Sequence, residues 1–69
     1  MADSVYKVIE IVGVSEDSWE EATRTAIATA SKSLRDLRIA EVLKLDVTVD
    51  NGAVSRFRTR LSVSFKYED

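Results

Sequence analysis

From Phe57 to Tyr67 the chain alternates without a break. Phe57, Thr59, Leu61, Val63, Phe65 and Tyr67 hold the odd positions, and Arg58, Arg60, Ser62, Ser64 and Lys66 the even ones. Successive side chains of a strand point to opposite faces, so this stretch reads as a half-buried strand with a basic outer row. With 45% hydrophobic and 32% charged residues, the 69-residue chain is globular rather than disordered. At this length it forms one domain, residues 1–69. It has no cysteine, so no disulfide can staple it. Domains this small gain little from a single core and lean on disulfides, metals or oligomerisation. Oligomerisation is the natural route here.

Two more strands and a helix are readable. Val5 to Val12 is rich in β-branched residues. Val5, Ile9 and Ile11 share one face; Tyr6, Val8 and Val12 share the other. A strand apolar on both faces is covered on both, here by its own helix and by another subunit. Gly13 is expected to end it. Ser18 followed by Glu21 fits a capping box, with Glu16, Asp17, Glu20 and Glu21 placing negative charge at a helix N-terminus. The helix is expected from about Trp19 to about Arg35. Its apolar stripe is Ala22, Ala26, Ile27, Ala30, Leu34 and Leu37, and its alanines let it sit close to a sheet. Lys32 and Arg35 suit its C-terminal end.

Ala40 to Asp50 is the remaining strand, and Asp50-Asn51-Gly52 a hairpin signal. Directly opposite residues share a face, so odd apolar positions must oppose odd apolar positions. A three-residue loop, Asn51 to Ala53, satisfies this. It sets Val47 against Phe57, Leu43 against Leu61, Asp46 against Arg58 and Lys44 against Arg60. The fold class is therefore α+β in the order β-α-β-β, with no linker or repeat.

Several function classes are excluded. Ten basic residues are balanced by twelve acidic ones, so the net charge of −2 implies no general affinity for nucleic acid. The segment Met-Ala-Asp-Ser-Val-Tyr has neither a basic region nor an apolar core, and no apolar run is long enough to span a membrane. A cytoplasmic protein without a membrane partner is expected. There is no histidine, and no nucleophile sits beside a base, so no catalytic residue is assigned.

The order and spacing of Val5-Tyr6-Lys7-Val8-Ile9-Glu10-Ile11-Val12-Gly13, Ser15 and Ser18, the alanine-rich helix, Ala40-Glu41-Val42 and Ser62-Val63-Ser64-Phe65 resemble the dodecins. The resemblance covers essentially the whole chain. It implies a three-stranded antiparallel sheet wrapped on one helix, and a hollow homododecamer. It also implies a flavin (riboflavin, FMN or FAD) as the family cofactor, stacked on a tryptophan before the second strand and hydrogen-bonded by a glutamine in the third. Those positions align with Ile39 and Arg58. Isoleucine supplies no π-face, and arginine has no acceptor with which to mimic an amide. The resemblance thus implies that the flavin stack is lost here. Arg38-Ile39-Ala40 and Val63-Ser64-Phe65-Lys66 look like a dodecin subgroup described as calcium dodecins, which makes Ca2+ the rival ligand. Lys66 matches a position where some dodecins grip a nucleotide phosphate.

Glu41 and Asp46 carry two readings. As hard oxygen donors they could serve a calcium ion, which takes six to eight oxygens gathered at a symmetry axis. As structural groups, Asp46 pairs with Arg58 and Glu41 with a basic neighbour across an interface. The structural reading is preferred, because ion pairs are commoner than metal sites. The basic row Arg56, Arg58, Arg60 and Lys66 likewise reads either as an anion platform or as a cross-paired face, with the second favoured. The expected function is non-enzymatic ligand binding or storage in a dodecamer. The alternatives are a cation-binding dodecin and a structural cage without a specific ligand.

Overall fold

The computed structural model describes residues 3–67. Four elements follow in order: β1 Tyr6–Ser15, α1 Trp19–Ala30, β2 Leu37–Asp50 and β3 Ala53–Lys66. The strands form one antiparallel sheet in the order β1-β3-β2, so the alternating strand is central. The α+β class and the β-α-β-β order read from the sequence are those observed. The helix lies over β1 and β3, while β2 runs out beyond it, and the molecule is 54 Å long but only 20 × 16 Å across.

Odd residues of β3 face the helix. Thr59, Leu61 and Val63 are fully buried there against Ala22 and Ala26, with Ile9, Ile11, Ile27 and Leu37 packed around them. The buried Thr59 hydroxyl donates to the Trp19 carbonyl at 3.2 Å, so its burial leaves no orphan polar group. The odd residues of β1 share this face, because Ile9 opposes Val63 and Ile11 opposes Leu61. The even residues of β1 do not find cover in a single chain: Tyr6, Val8 and Val12 are exposed, Val8 at 57%.

Gly13 does not end β1. The strand continues to Ser15, and Gly13 is buried opposite Thr59. A side-chain carbon there would meet the backbone oxygen of Ala22 and lie 2.8 Å from the Ala26 methyl. The glycine marks the place where helix and strand come closest, a known use of glycine inside a strand.

The helix stops at Ala30, not near Arg35. The amides of Lys32 and Ser33 reach back only three residues, to the carbonyls of Thr29 and Ala30, which tightens and closes the last turn. Asp36 then takes φ 57° and turns the chain into β2. Lys32 and Arg35 consequently lie beyond the helix, and β2 begins at Leu37 rather than Ala40, because Leu37 pairs with Phe65 and packs on the core. At the other end the Ser18 hydroxyl accepts from the Glu21 amide at 2.9 Å, as a cap should. The reciprocal half of the box is replaced. The Ser18 amide donates to Ser15 Oγ at 3.5 Å, and the Glu21 carboxylate faces Arg24.

The hairpin also departs from expectation. Its loop has two residues: Asn51 (φ 52°) and Gly52 (φ 76°), with Asp50 opposite Ala53. Two successive positive φ angles are those of a type I′ turn, which Asn-Gly favours. The parity problem that argued for a longer loop is solved by a bulge. Val49 opposes Val54 but Thr48 opposes Arg56, so Ser55 is an extra residue. Beyond it Val47 faces Phe57, Asp46 faces Arg58 and Lys44 faces Arg60, as expected. A second irregularity between Val42 and Lys44 places Val42, not Leu43, opposite Leu61.

Candidate ligand-binding face

The surface of the sheet away from the helix is built from the even row of β3. Arg58, Arg60, Ser62, Ser64 and Lys66 run down its middle. Glu10, Val12 and Val14 flank them on β1; Asp46, Lys44, Glu41 and Ile39 flank them on β2. The pleat thus gathers every residue singled out from the sequence on one face.

Arg58 and Asp46 sit directly opposite and form a two-pronged ion pair. Arg58 Nε donates to Asp46 Oδ1 at 2.8 Å, and its terminal nitrogen donates to Oδ2 at 3.1 Å. Such fork-to-carboxylate geometry is the strongest form of the contact. The hydrogen bond from Arg58 holds the Asp46 carboxyl below the usual carboxylate range, with Arg60 and Lys44 adding weaker attraction; the same pairing raises Arg58. Arg60 faces Lys44, a like charge, and turns diagonally to Glu10, reaching its carboxylate at 3.4 Å. Glu41 opposes Ser62, a neutral partner, and is exposed. Ile39 is 67% exposed, and its carbonyl accepts from the Ser64 hydroxyl at 3.3 Å. Lys66 is exposed opposite Tyr6.

Both Asp46 oxygens are therefore occupied by Arg58, and among the described residues no three acidic groups converge as a metal cluster. Within one chain the residues at the expected flavin positions present an aliphatic side chain at one end and a closed ion pair at the other.

Trp19 is a residue whose part sequence reasoning missed. Its indole N–H donates to the Asp46 carbonyl at 3.0 Å, and its ring meets the edge of Phe57 at 5.0 Å between centroids. It fastens the start of α1 to β2, where the helix otherwise makes little contact. The available signal was a lone tryptophan at the first helical position, since a buried or half-buried indole N–H needs an acceptor. Among the described residues no helix is long and apolar enough to cross a membrane.

A short β-α-β-β chain with one helix on a three-stranded sheet, an exposed apolar row on its edge strand and an ion-paired open face defines a small α+β protein. The family model described as Dodecin matches residues 5–68, and the chain belongs to the dodecin family. It is similar to calcium dodecin from Mycobacterium tuberculosis, 46% identical over 63 residues that cover 91% of this chain and 89% of the relative. The crystal structure of that calcium dodecin, described as a calcium-chelating antigen with a calcium-binding site, matches with a TM-score of 0.85 at 45% identity, covering 94% and 93% of the two chains. Dodecin from Streptomyces coelicolor matches with a TM-score of 0.94 at 33% identity, covering 100% of this chain and 99% of that one.

Proposed function

We propose that this chain is a non-enzymatic ligand-binding or storage protein, acting in the cytoplasm as a hollow homododecamer, with the family's flavin stack lost. The observation that carries the reading is the Arg58–Asp46 pair beside an aliphatic Ile39. A flavin entering between these residues gains no aromatic contact and must compete with a two-pronged ion pair. Assembly is supported by the uncovered apolar row of β1, where Val8 and Val12 stand on a face that the chain's own helix does not reach.

A second reading, calcium binding, draws on the similarity to the Mycobacterium tuberculosis calcium dodecin. Glu41 is the carboxylate best suited to it, being exposed and opposite a serine, whereas Asp46 would first have to leave Arg58. Such a site takes its oxygens from more than one subunit, because calcium needs six to eight. Lys66 remains available on the same face for an anionic part of a ligand.

Native mass spectrometry of chelator-treated protein, alone and with calcium or riboflavin added, tests these readings together. A twelve-subunit species that takes up calcium but not riboflavin supports the calcium reading. Stoichiometric riboflavin uptake overturns the loss of the flavin stack, and a stable monomer overturns the assembly.

A further inference from the structure

Trp19 touches the sheet through three different groups, and all three surround one rung. Its indole N–H donates to the backbone carbonyl of Asp46 on β2 at 3.0 Å. Its own carbonyl accepts from the Thr59 hydroxyl on β3 at 3.2 Å. Its ring meets the edge of Phe57, the planes 76° apart. Asp46 and Arg58 are cross-strand partners, and Phe57 and Thr59 are the residues on either side of Arg58. The pleat sends Phe57 and Thr59 to the helix side and Arg58 to the open face. One residue at the start of α1 therefore holds, from behind, the rung whose front carries the ion pair.

The ion pair needs such support. Surface pairs contribute little as a rule, because two mobile side chains must be held in one geometry. Arg58 and Asp46 keep 38% and 52% of their side-chain surface in solvent, yet they meet through two hydrogen bonds. That fork-to-carboxylate contact requires the two backbones to keep their spacing. β2 is an edge strand, and its register slips on both sides of the rung, between Val42 and Lys44 and between Thr48 and Val49. Helix capping does not account for the contacts, because the Ser18 hydroxyl already takes the Glu21 amide.

We infer that Trp19 is the positioning residue of the open face: it fixes the Asp46–Arg58 rung, keeps the guanidinium on Asp46, and so holds the face closed to a planar ligand. The inference rests on the proposed loss of the flavin stack and adds the residue that enforces it from the other side of the sheet. With Trp19 in place, a ligand that recruits Arg58 must open a pair whose strands are clamped. Without the indole N–H, β2 is free to shift at Asp46, and the guanidinium is released to solvent or to a ligand.

Arginine side-chain NMR of the full-length protein tests this without any ligand. The Arg58 Nε–H resonance, identified by its absence in Arg58→Gln, should exchange slowly with water in the parent. Trp19→Phe keeps a ring beside Phe57 and deletes the indole N–H. It should speed that exchange at least about fivefold, the lower end of coupling between separate sites. Ile27→Val trims the helix–sheet core away from the rung and should leave the exchange unchanged. Circular dichroism confirms that each variant folds. Unchanged exchange in Trp19→Phe overturns the proposal. So does equal acceleration in Ile27→Val, which would mean general loosening. The reverse measurement keeps the native residue: Trp19 is the only tryptophan, so its emission is read directly. Arg58→Gln should shift that emission to longer wavelength, and an unshifted spectrum overturns the coupling. Adding Trp19→Phe to Ile39→Trp should tighten riboflavin binding at least about fivefold. No gain there, where Ile39→Trp with Arg58→Gln does bind, overturns the proposal. Should that last variant take up no riboflavin, the flavin reading fails, and the exchange of Arg58 still decides the part played by Trp19.

Discussion

The methyl group of Ala26 lies 2.8 Å from where a side-chain carbon on Gly13 would sit, with the Ala22 backbone oxygen nearer still. Helix and edge strand touch here with no room for one more carbon. Gly13→Ala must push α1 off the sheet, because backbone cannot yield as a flexible side chain can. Overpacking of this kind costs about 1–3 kcal/mol, and the backbone contact points to the upper part of that range. Chemical denaturation should show it as a lowered midpoint. An unchanged midpoint would mean that the helix sits further from β1 than described.

The central strand carries the second expectation. Leu61 and Val63 are fully buried, whereas Ser62 between them faces away from the helix. Leu61→Ala should destabilise the protein by about 2–5 kcal/mol, the usual cost of a large-to-small change in a packed core. Ser62→Ala should stay within about 0.5 kcal/mol. Comparable losses at both positions would contradict the assignment of faces.

What the sequence made legible follows the strength of each local pattern. The period-two run through β3 was unambiguous, since each side chain from Phe57 to Phe65 has only one face compatible with its chemistry. The hairpin register near Asp46 and Arg58 was also readable, although the mechanism was not. Parity demands one extra residue between the strands, and it does not say whether that residue sits in the loop or in a bulge at Ser55. The end of α1 was hidden for a different reason. Ser31 to Leu34 continue a plausible helical stripe, and only the shortened hydrogen bonds of Lys32 and Ser33 close it. Gly13 looked like a strand end because its close neighbours, Ala22 and Ala26, come from a later element. Of the candidate site, pairing across β2 and β3 was visible from register alone. Glu10 meeting Arg60 depends on β1 lying beside β3, which no local pattern specified.

Acid titration should report the Asp46–Arg58 pair. The Asp46 carboxyl is held low chiefly by its hydrogen bond from Arg58. A carboxyl lowered on folding adds stability above its unfolded-state value and loses it as the pH falls through its folded-state value. The loss therefore falls in the acid range, below ordinary carboxylate titration, and neutral pH leaves the pair intact. Carboxyl-carbon NMR should place the Asp46 titration below the ordinary carboxylate range in the parent. In Arg58→Gln the resonance should return toward the ordinary range. A normal Asp46 titration in the parent would mean that the pair does not persist in solution. The effect on stability should be small and should fade with added salt, because both groups are at the surface.

Restoring the family's flavin chemistry tests the proposed loss most directly. Ile39 is exposed at the edge of the open face, so a tryptophan placed there is free to present its ring to a ligand. An aromatic contact contributes about 0.5–1.5 kcal/mol beyond area burial. Arg58→Gln removes the group that grips Asp46 and supplies an amide with both donor and acceptor. The parent should quench riboflavin fluorescence weakly or not at all. Ile39→Trp alone should restore only part of the quenching, because Arg58 still closes the face. Ile39→Trp with Arg58→Gln should restore clear, saturable quenching. The single Arg58→Gln change frees Asp46 and adds no stacking surface, so it should bind riboflavin no better than the parent. Submicromolar quenching by the parent would show that another group stacks the ring, and the assignment of Ile39 and Arg58 to the lost flavin site would then be wrong.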